Sequence, residues 1–206
     1  MLTKLASSLG RNDEEPNIEL AVELCETNNI KGIEEIVQGL KSKEIAIAND
    51  CIKVLYEIGS RKPELIADYT NEFISLLLSK NNRLAWGSMT ALATIADLSA
   101  DEIYSKLDIV KKAYEAGSVI TVDNSITVFA KLCKANELYQ EEVFPFLMQH
   151  LATCRSKEVP QHAERMMICI TADNSKDFVE VLEKRRVDLT DSQNKRINKI
   201  SKSLST

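Results

Sequence analysis

Apolar residues recur at helical spacing along nearly the whole chain. One set is Ile33, Ile36, Val37 and Leu40; another is Leu65, Ile66, Tyr69, Phe73, Ile74 and Leu77; further sets are Ile103, Leu107, Val110 and Tyr114, then Val143, Phe146, Leu147 and Leu151. Steps of three and four place each set on one face of an α-helix. Strand-like alternation is nearly absent, and only SVITVDNSITVF, beginning at Ser118, is rich enough in β-branched residues to permit a strand. Punctuation cuts the pattern into short helices: Pro63 at a first helical position, Ser99 with Glu102 as a capping box, Asp173-Asn174-Ser175 as further N-caps, and Thr190 with Gln193 as a second box. The connections are a few residues long, so successive helices pack as antiparallel neighbours.

Four of these helices repeat at offsets of 37, 37 and 38 residues. Ile47, Leu84, Thr121 and Val159 are equivalent, as are Cys51, Ser88, Ser125 and Ala163; Leu55, Leu92, Phe129 and Met167; and Ile58, Ile95, Leu132 and Ile170. The second position is always small and the third always large and apolar. Within a copy the spacings are four, four and three, so the residues form one packed face. This register also predicts that SVITVDNSITVF is helical, because Thr121, Ser125 and Phe129 fall on that face.

The segment PELIADYTNEFISLLLSKNNRLAWGSMTALATIA, from Pro63 to Ala96, resembles a unit of the HEAT-repeat family and, more loosely, of armadillo-like solenoids. Leu84, Ser88 and Leu92 match that family's V-x-x-x-A-x-x-x-L pattern. Many HEAT units carry an arginine after the first core position, where this chain has Ala48, Ala85, Val122 and Pro160. The resemblance implies an all-α fold, a right-handed α-α superhelix of about five helix pairs. It is expected as a single domain over 1–206, with an N-terminal cap over about 1–29, repeats over about 30–172 and C-terminal capping helices over about 173–206.

In the family the second helix of each pair lines the concave side. At about 100° per residue, Trp86 lies roughly 160° from the middle of the packed stripe. The equivalent positions form an expected binding ribbon of Asn49, Trp86, Asp123 and Gln161, flanked by Lys53, Thr90, Thr127 and Arg165, with Asp50, Asn124 and His162 alongside. Trp86, the single tryptophan, is read either as a packing residue or as a binding anchor. Gly87 is placed on the flank, where it leaves space beside the indole.

Charge narrows the partner. The chain has a net charge of −5, but the stretch from Lys184 onward carries +5, which leaves −10 on the first 183 residues. Such a body opposes nucleic acid, whereas the last helix is read as a cap with a solvated basic face, or otherwise as a contact for acidic protein, RNA or lipid headgroups. The N-terminus lacks a signal-peptide h-region, no apolar run approaches the roughly 20 residues that span a bilayer, and the five cysteines form no CxxC pair. A cytoplasmic protein with reduced thiols is expected.

Candidate chemistry is sparse. His150 and Cys154 stand four apart, and His162 and Cys169 follow, a spacing open to soft-metal ligands. Without a second close pair to complete a tetrahedral set, it is read as a partly buried cysteine beside a surface histidine, and no metal or cofactor is expected. The acidic pairs Glu14-Glu15, Glu34-Glu35 and Glu141-Glu142 diverge on a helix and read as solvated faces. There is no Gly-rich phosphate loop, G-x-S-x-G elbow or HExxH motif. The expected function is therefore a non-catalytic protein-protein interaction scaffold that binds a partner protein or peptide on its concave ribbon. The alternative is a nucleic-acid-binding or base-processing repeat protein similar to helical-repeat DNA glycosylases, with Trp86 and Asp123 as its candidate residues.

Overall fold

The computed structural model describes residues 1–204, which form helices and turns with no strand among them. They pack as two compact units, Met1–Ser125 and Ile126–Thr206. The first contains α1 (Glu15–Thr27), α2 (Ile30–Gly39), α3 (Ile45–Gly59), α4 (Thr70–Leu76), α5 (Asn82–Ile95), α6 (Ala100–Tyr104) and α7 (Leu107–Ala116). Helix α8 (Val119–Ala135) covers the β-branched stretch from Val119 on, so tertiary register overrides its strand propensity as expected. The second unit continues with α9 (Glu137–Thr153), α10 (Val159–Met166), α11 (Ser175–Arg185) and α12 (Asp191–Leu204).

Asparagines start three of these helices. Asn29, Asn81 and Asn136 each accept a first-turn backbone N–H through the side-chain oxygen, from Gly32 at 2.9 Å, Arg83 at 3.0 Å and Leu138 at 2.9 Å. The box expected at Thr190 also forms, with Gln193 Oε1 accepting from Thr190 N at 2.8 Å and Gln193 N donating to Thr190 Oγ1 at 3.4 Å. The one at Ser99 does not, because its hydroxyl turns instead to the carbonyl of Ala67, at 3.4 Å. The helix expected after Pro63 is broken into two 3₁₀ turns, Pro63–Leu65 and Ala67–Tyr69, before α4 begins.

In the first unit α3 packs against both α1 and α5, and each is backed by its preceding helix, α2 on α3 and α4 on α5. In the second unit α9 packs against α11 and α10 against α12. Like helices thus stack on like, the arrangement of a helical repeat. Cys51, Leu55 and Ile58 on α3, and Ser88, Leu92 and Ile95 on α5, are fully buried. Ser125, Phe129 and Leu132 on α8 are buried in the same way, while Ile47 is half-buried. The fourth copy departs from the register. Helix α10 ends at Met166 and tightens into a 3₁₀ turn, Met167–Cys169, so Met166 and Cys169 are buried while Met167 and Ile170 are only half-buried.

Candidate interaction surface

The surface is built on α3 and α5, whose outward residues stand side by side because the helices touch along their length. The Tyr56 and Trp86 rings tilt together with centroids 5.8 Å apart. Lys53 Nζ lies 4.9 Å from the Tyr56 ring centre, and the Arg83 guanidinium 5.5 Å from that of Trp86. Both cations sit three residues before the ring they cover, one helical turn away. Trp86 is half-buried, so it is neither a core residue nor a free-standing projection.

A carboxylate closes the cluster. Glu14, just before α1, is bonded to Arg83, and its Oε2 lies 3.0 Å from Lys53 Nζ. Lys53 also donates to Glu57 Oε1 at 2.8 Å, and Glu57 Oε2 accepts from Arg61 at 2.5 Å. Burial alone would lower the Lys53 ammonium, but the hydrogen bonds it donates to Glu57 and Glu14 outweigh it and raise its pKa. Burial would likewise raise the Glu14 carboxyl, and its bonds to Lys53 and Arg83 hold it below the ordinary value instead. Beside this cluster a cavity of about 420 Å³ is lined by Asn49, Asp50, Arg83 and the segment from Gly10 to Glu14.

The ribbon residues are placed as follows. Asn49, Asp50, Trp86, Thr90, Asp123 and Asn124 of the first unit are half-buried, as are Thr127, Gln161 and Arg165 of the second. Lys53 and His162, expected at the surface, are buried at 6% and 0% exposure. Much of the ribbon's polarity is spent within the protein. Asp50 accepts from Ser7 N and from Asn17 Nδ2, each at 2.8 Å, and so ties the N-terminal segment to α3. Asn81 donates to Asn49 at 2.8 Å and Asn124 to Thr90 at 2.9 Å; in the second unit Arg165 donates to Thr127 at 2.5 Å. These bonds form polar rungs between neighbouring helices. Sequence reasoning missed Glu14, Tyr56 and Arg83. The last two are findable as the i+3 neighbour of Lys53 and the i−3 neighbour of Trp86, whereas nothing local ties Glu14 to either.

Gly87 is not a flank position. It is buried, and a Cβ there would stand 2.7 Å from Ile52 Cγ1, so the glycine lets α5 approach α3 closely and brings Trp86 to Tyr56. His150 is also corrected: it is 6% exposed, and its Nε2 lies 2.8 Å from His162 Nδ1. The basic C-terminal region is largely neutralised within the second unit, where Lys184, Arg185, Arg186 and Arg196 pair with Glu180, Asp188, Glu183 and Glu164. No helix among the described residues is long and apolar enough to cross a membrane.

No family model matches the sequence, and neither does any curated protein. Solved structures do match. An engineered protein aligns at a TM-score of 0.63 and 22% identity, covering 99% of this chain and 95% of that one. The karyopherin Kap121p bound to the SUMO protease Ulp1p aligns at 0.65 and 14% identity over 96% of this chain, and Kap121p bound to Pho4p at 0.64 with the same identity and coverage. This chain spans 22% of the length of each Kap121p chain. The likenesses show the fold, that of an all-α helical-repeat solenoid.

Proposed function

We propose that this chain is a non-catalytic scaffold of HEAT-type units, working in the cytoplasm, that binds an acidic segment of a partner protein on the outward face of α3 and α5, the concave side of the repeat. The observation that carries this reading is the cluster of Lys53, Tyr56, Arg83 and Trp86 with the chain's own Glu14 seated on it. Two cations held over two aromatic rings suit a carboxylate flanked by apolar atoms, and tryptophan and arginine dominate the energetics of protein interfaces. Glu14 then acts as an internal occupant that a partner's carboxylate replaces. Kap121p, of similar fold, was crystallised with protein partners, which supports the same general role. Five free cysteines fit a reducing compartment.

The test is a fluorescence titration with an Asp/Glu-rich peptide containing aromatic residues. Glu14→Gln should tighten binding at least threefold by vacating the cations, whereas Arg83→Ala and Trp86→Ala should each weaken it tenfold or more. Binding that ignores all three substitutions would refute the assigned face. Preferential binding of a single-stranded oligonucleotide over the peptide would refute the partner class.

A further inference from the structure

The second unit buries a second cluster, unrelated to the α3–α5 face. His150 and Cys154 are four residues apart at the C-terminal end of α9, so they share one side of the helix, and Cys154 is its C-cap. His162 projects from the second turn of α10 and is fully buried. One donor atom from each of the three side chains falls within 4.8 Å of the others, and the two rings lie 4.8 Å apart. Two buried imidazoles and a half-buried thiol are a borderline-soft donor set within reach of a single ion. At metal–ligand bonds of about 2.0 to 2.3 Å, tetrahedral donors stand roughly 3.3 to 3.8 Å apart. The histidine nitrogens, now at 2.8 Å, must part slightly, and donors up to 4.8 Å apart must close by about 1 Å.

Backbone hydrogen bonds fix the helix ends that carry the donors. Arg185 donates to the carbonyls of Leu151 at 2.7 Å and Cys154 at 2.8 Å, fixing the end of α9 through its backbone. The His162 amide donates to the carbonyl of Glu158, the N-cap of α10, at 2.9 Å. Glu158 is itself bonded to Arg155 and Asp188 to Arg185, so these nearby charges are two guanidiniums and two carboxylates. Burial raises the Cys154 thiol, and Arg185 opposes that only in part. A cysteine sulfur is ordinarily a thiol at neutral pH and becomes a thiolate when a cation displaces its proton.

We propose that His150, Cys154 and His162 form a binding site for one zinc-class divalent transition-metal ion, with three protein ligands and a fourth position open to water. Binding forms two metal–nitrogen bonds and one metal–sulfur bond and releases one proton, from Cys154. As ligands the imidazoles are neutral, and any N–H facing the ion moves to the other ring nitrogen. The ion clamps the end of α9 to α10.

The test is titration of the tag-free, chelator-treated full chain with Co²⁺, followed by competition with Zn²⁺. The expected result is one ion per chain at micromolar or tighter affinity, a near-ultraviolet thiolate-to-cobalt absorption, release of one proton per ion, and a melting temperature that rises with Zn²⁺ concentration. Cys154→Ser, at a half-buried position, should abolish the thiolate band, and His162→Gln should weaken binding at least tenfold. The other four cysteines remain as an internal control. Absence of one-to-one binding at micromolar metal, or a thiolate band that survives Cys154→Ser, would overturn the site. If His162→Gln unfolds, the wild-type titration and Cys154→Ser decide between the same two outcomes.

Discussion

At Gly87 two opposite effects of one methyl group can be weighed. Alanine in a helix interior is favoured over glycine by up to about 1 kcal/mol. Here, however, the added Cβ would press on Ile52 Cγ1 at 2.7 Å, and Ile52 is a stiff, β-branched and fully buried side chain. Overpacking of that kind costs about 1 to 3 kcal/mol. Gly87→Ala is therefore expected to destabilise by about 1 kcal/mol net, measured by urea unfolding; a gain in stability would show that α5 can lift from α3. Next to it, Ser88 is fully buried and its hydroxyl has no hydrogen-bond partner among the described residues. Ser88→Ala removes a desolvated polar group without adding volume, so stability should hold or rise by up to about 1 kcal/mol. Ser88→Leu, by contrast, should cost about 1 to 3 kcal/mol. The small character of this position was readable from the repeat of Cys51, Ser88, Ser125 and Ala163. The contact that Gly87 makes was not, because it depends on how closely two helices approach and not on the face of either one.

At the scale of the helices, most of what was legible came from periodicity, and most of what was not came from helix ends. The packed stripes of α3, α5 and α8 follow the repeat because each runs long enough to fix its own phase. Helix α10 covers only eight residues and begins with Val159 and Pro160, and its tightened end shifts the buried positions by one. His162 lies about 60° off the Val159 direction, a flank that a longer helix would leave open and that this one turns towards His150. The ionic cluster on α3 is illegible for another reason, since Glu14 reaches Lys53 and Arg83 across 39 and 69 residues of sequence. That cluster makes stability depend on pH. Glu57 and Glu14 are both held below the ordinary carboxylate value, burial being outweighed by bonds to Lys53 with Arg61 or Arg83. Their ionised forms are favoured by folding. The contribution is complete above the unfolded value of about 4.3 and is lost as pH falls through the lower folded values. Lys53→Met removes the shared cation. The stability gap between wild type and this variant should therefore be widest near neutrality and close as pH falls from about 5 to about 3, read by urea unfolding at each pH. A gap that stays constant with pH would mean that the lysine contributes packing and not charge.

For the molecule as a whole, charge totals proved less informative than charge placement. A C-terminal stretch carrying +5 invites an anionic surface as its ligand, yet the folded chain returns Lys184, Arg185, Arg186 and Arg196 to its own acids. Three of these pairs are local, at spacings of three or four residues; the fourth, Arg196 to Glu164, fastens α12 to α10 with both nitrogen–oxygen contacts at 2.8 Å or less. Ile197 and Ile200 are buried on the same helix. Exposed pairs of this kind contribute little each, so α12 is held on α10 chiefly by its apolar face. Truncation after Val187 is accordingly expected to lower the melting temperature and to increase binding of an environment-sensitive hydrophobic dye, because Ile197 and Ile200 no longer cover α10. The intact chain should show no association with RNA or anionic vesicles at physiological salt, where exposed charges more than about 8 Å apart are screened from one another. If truncation instead left stability unchanged and abolished a salt-sensitive RNA or vesicle complex of the intact chain, the basic helix would be a binding element and not a packing element, and the acids that pair with it would be its competitors.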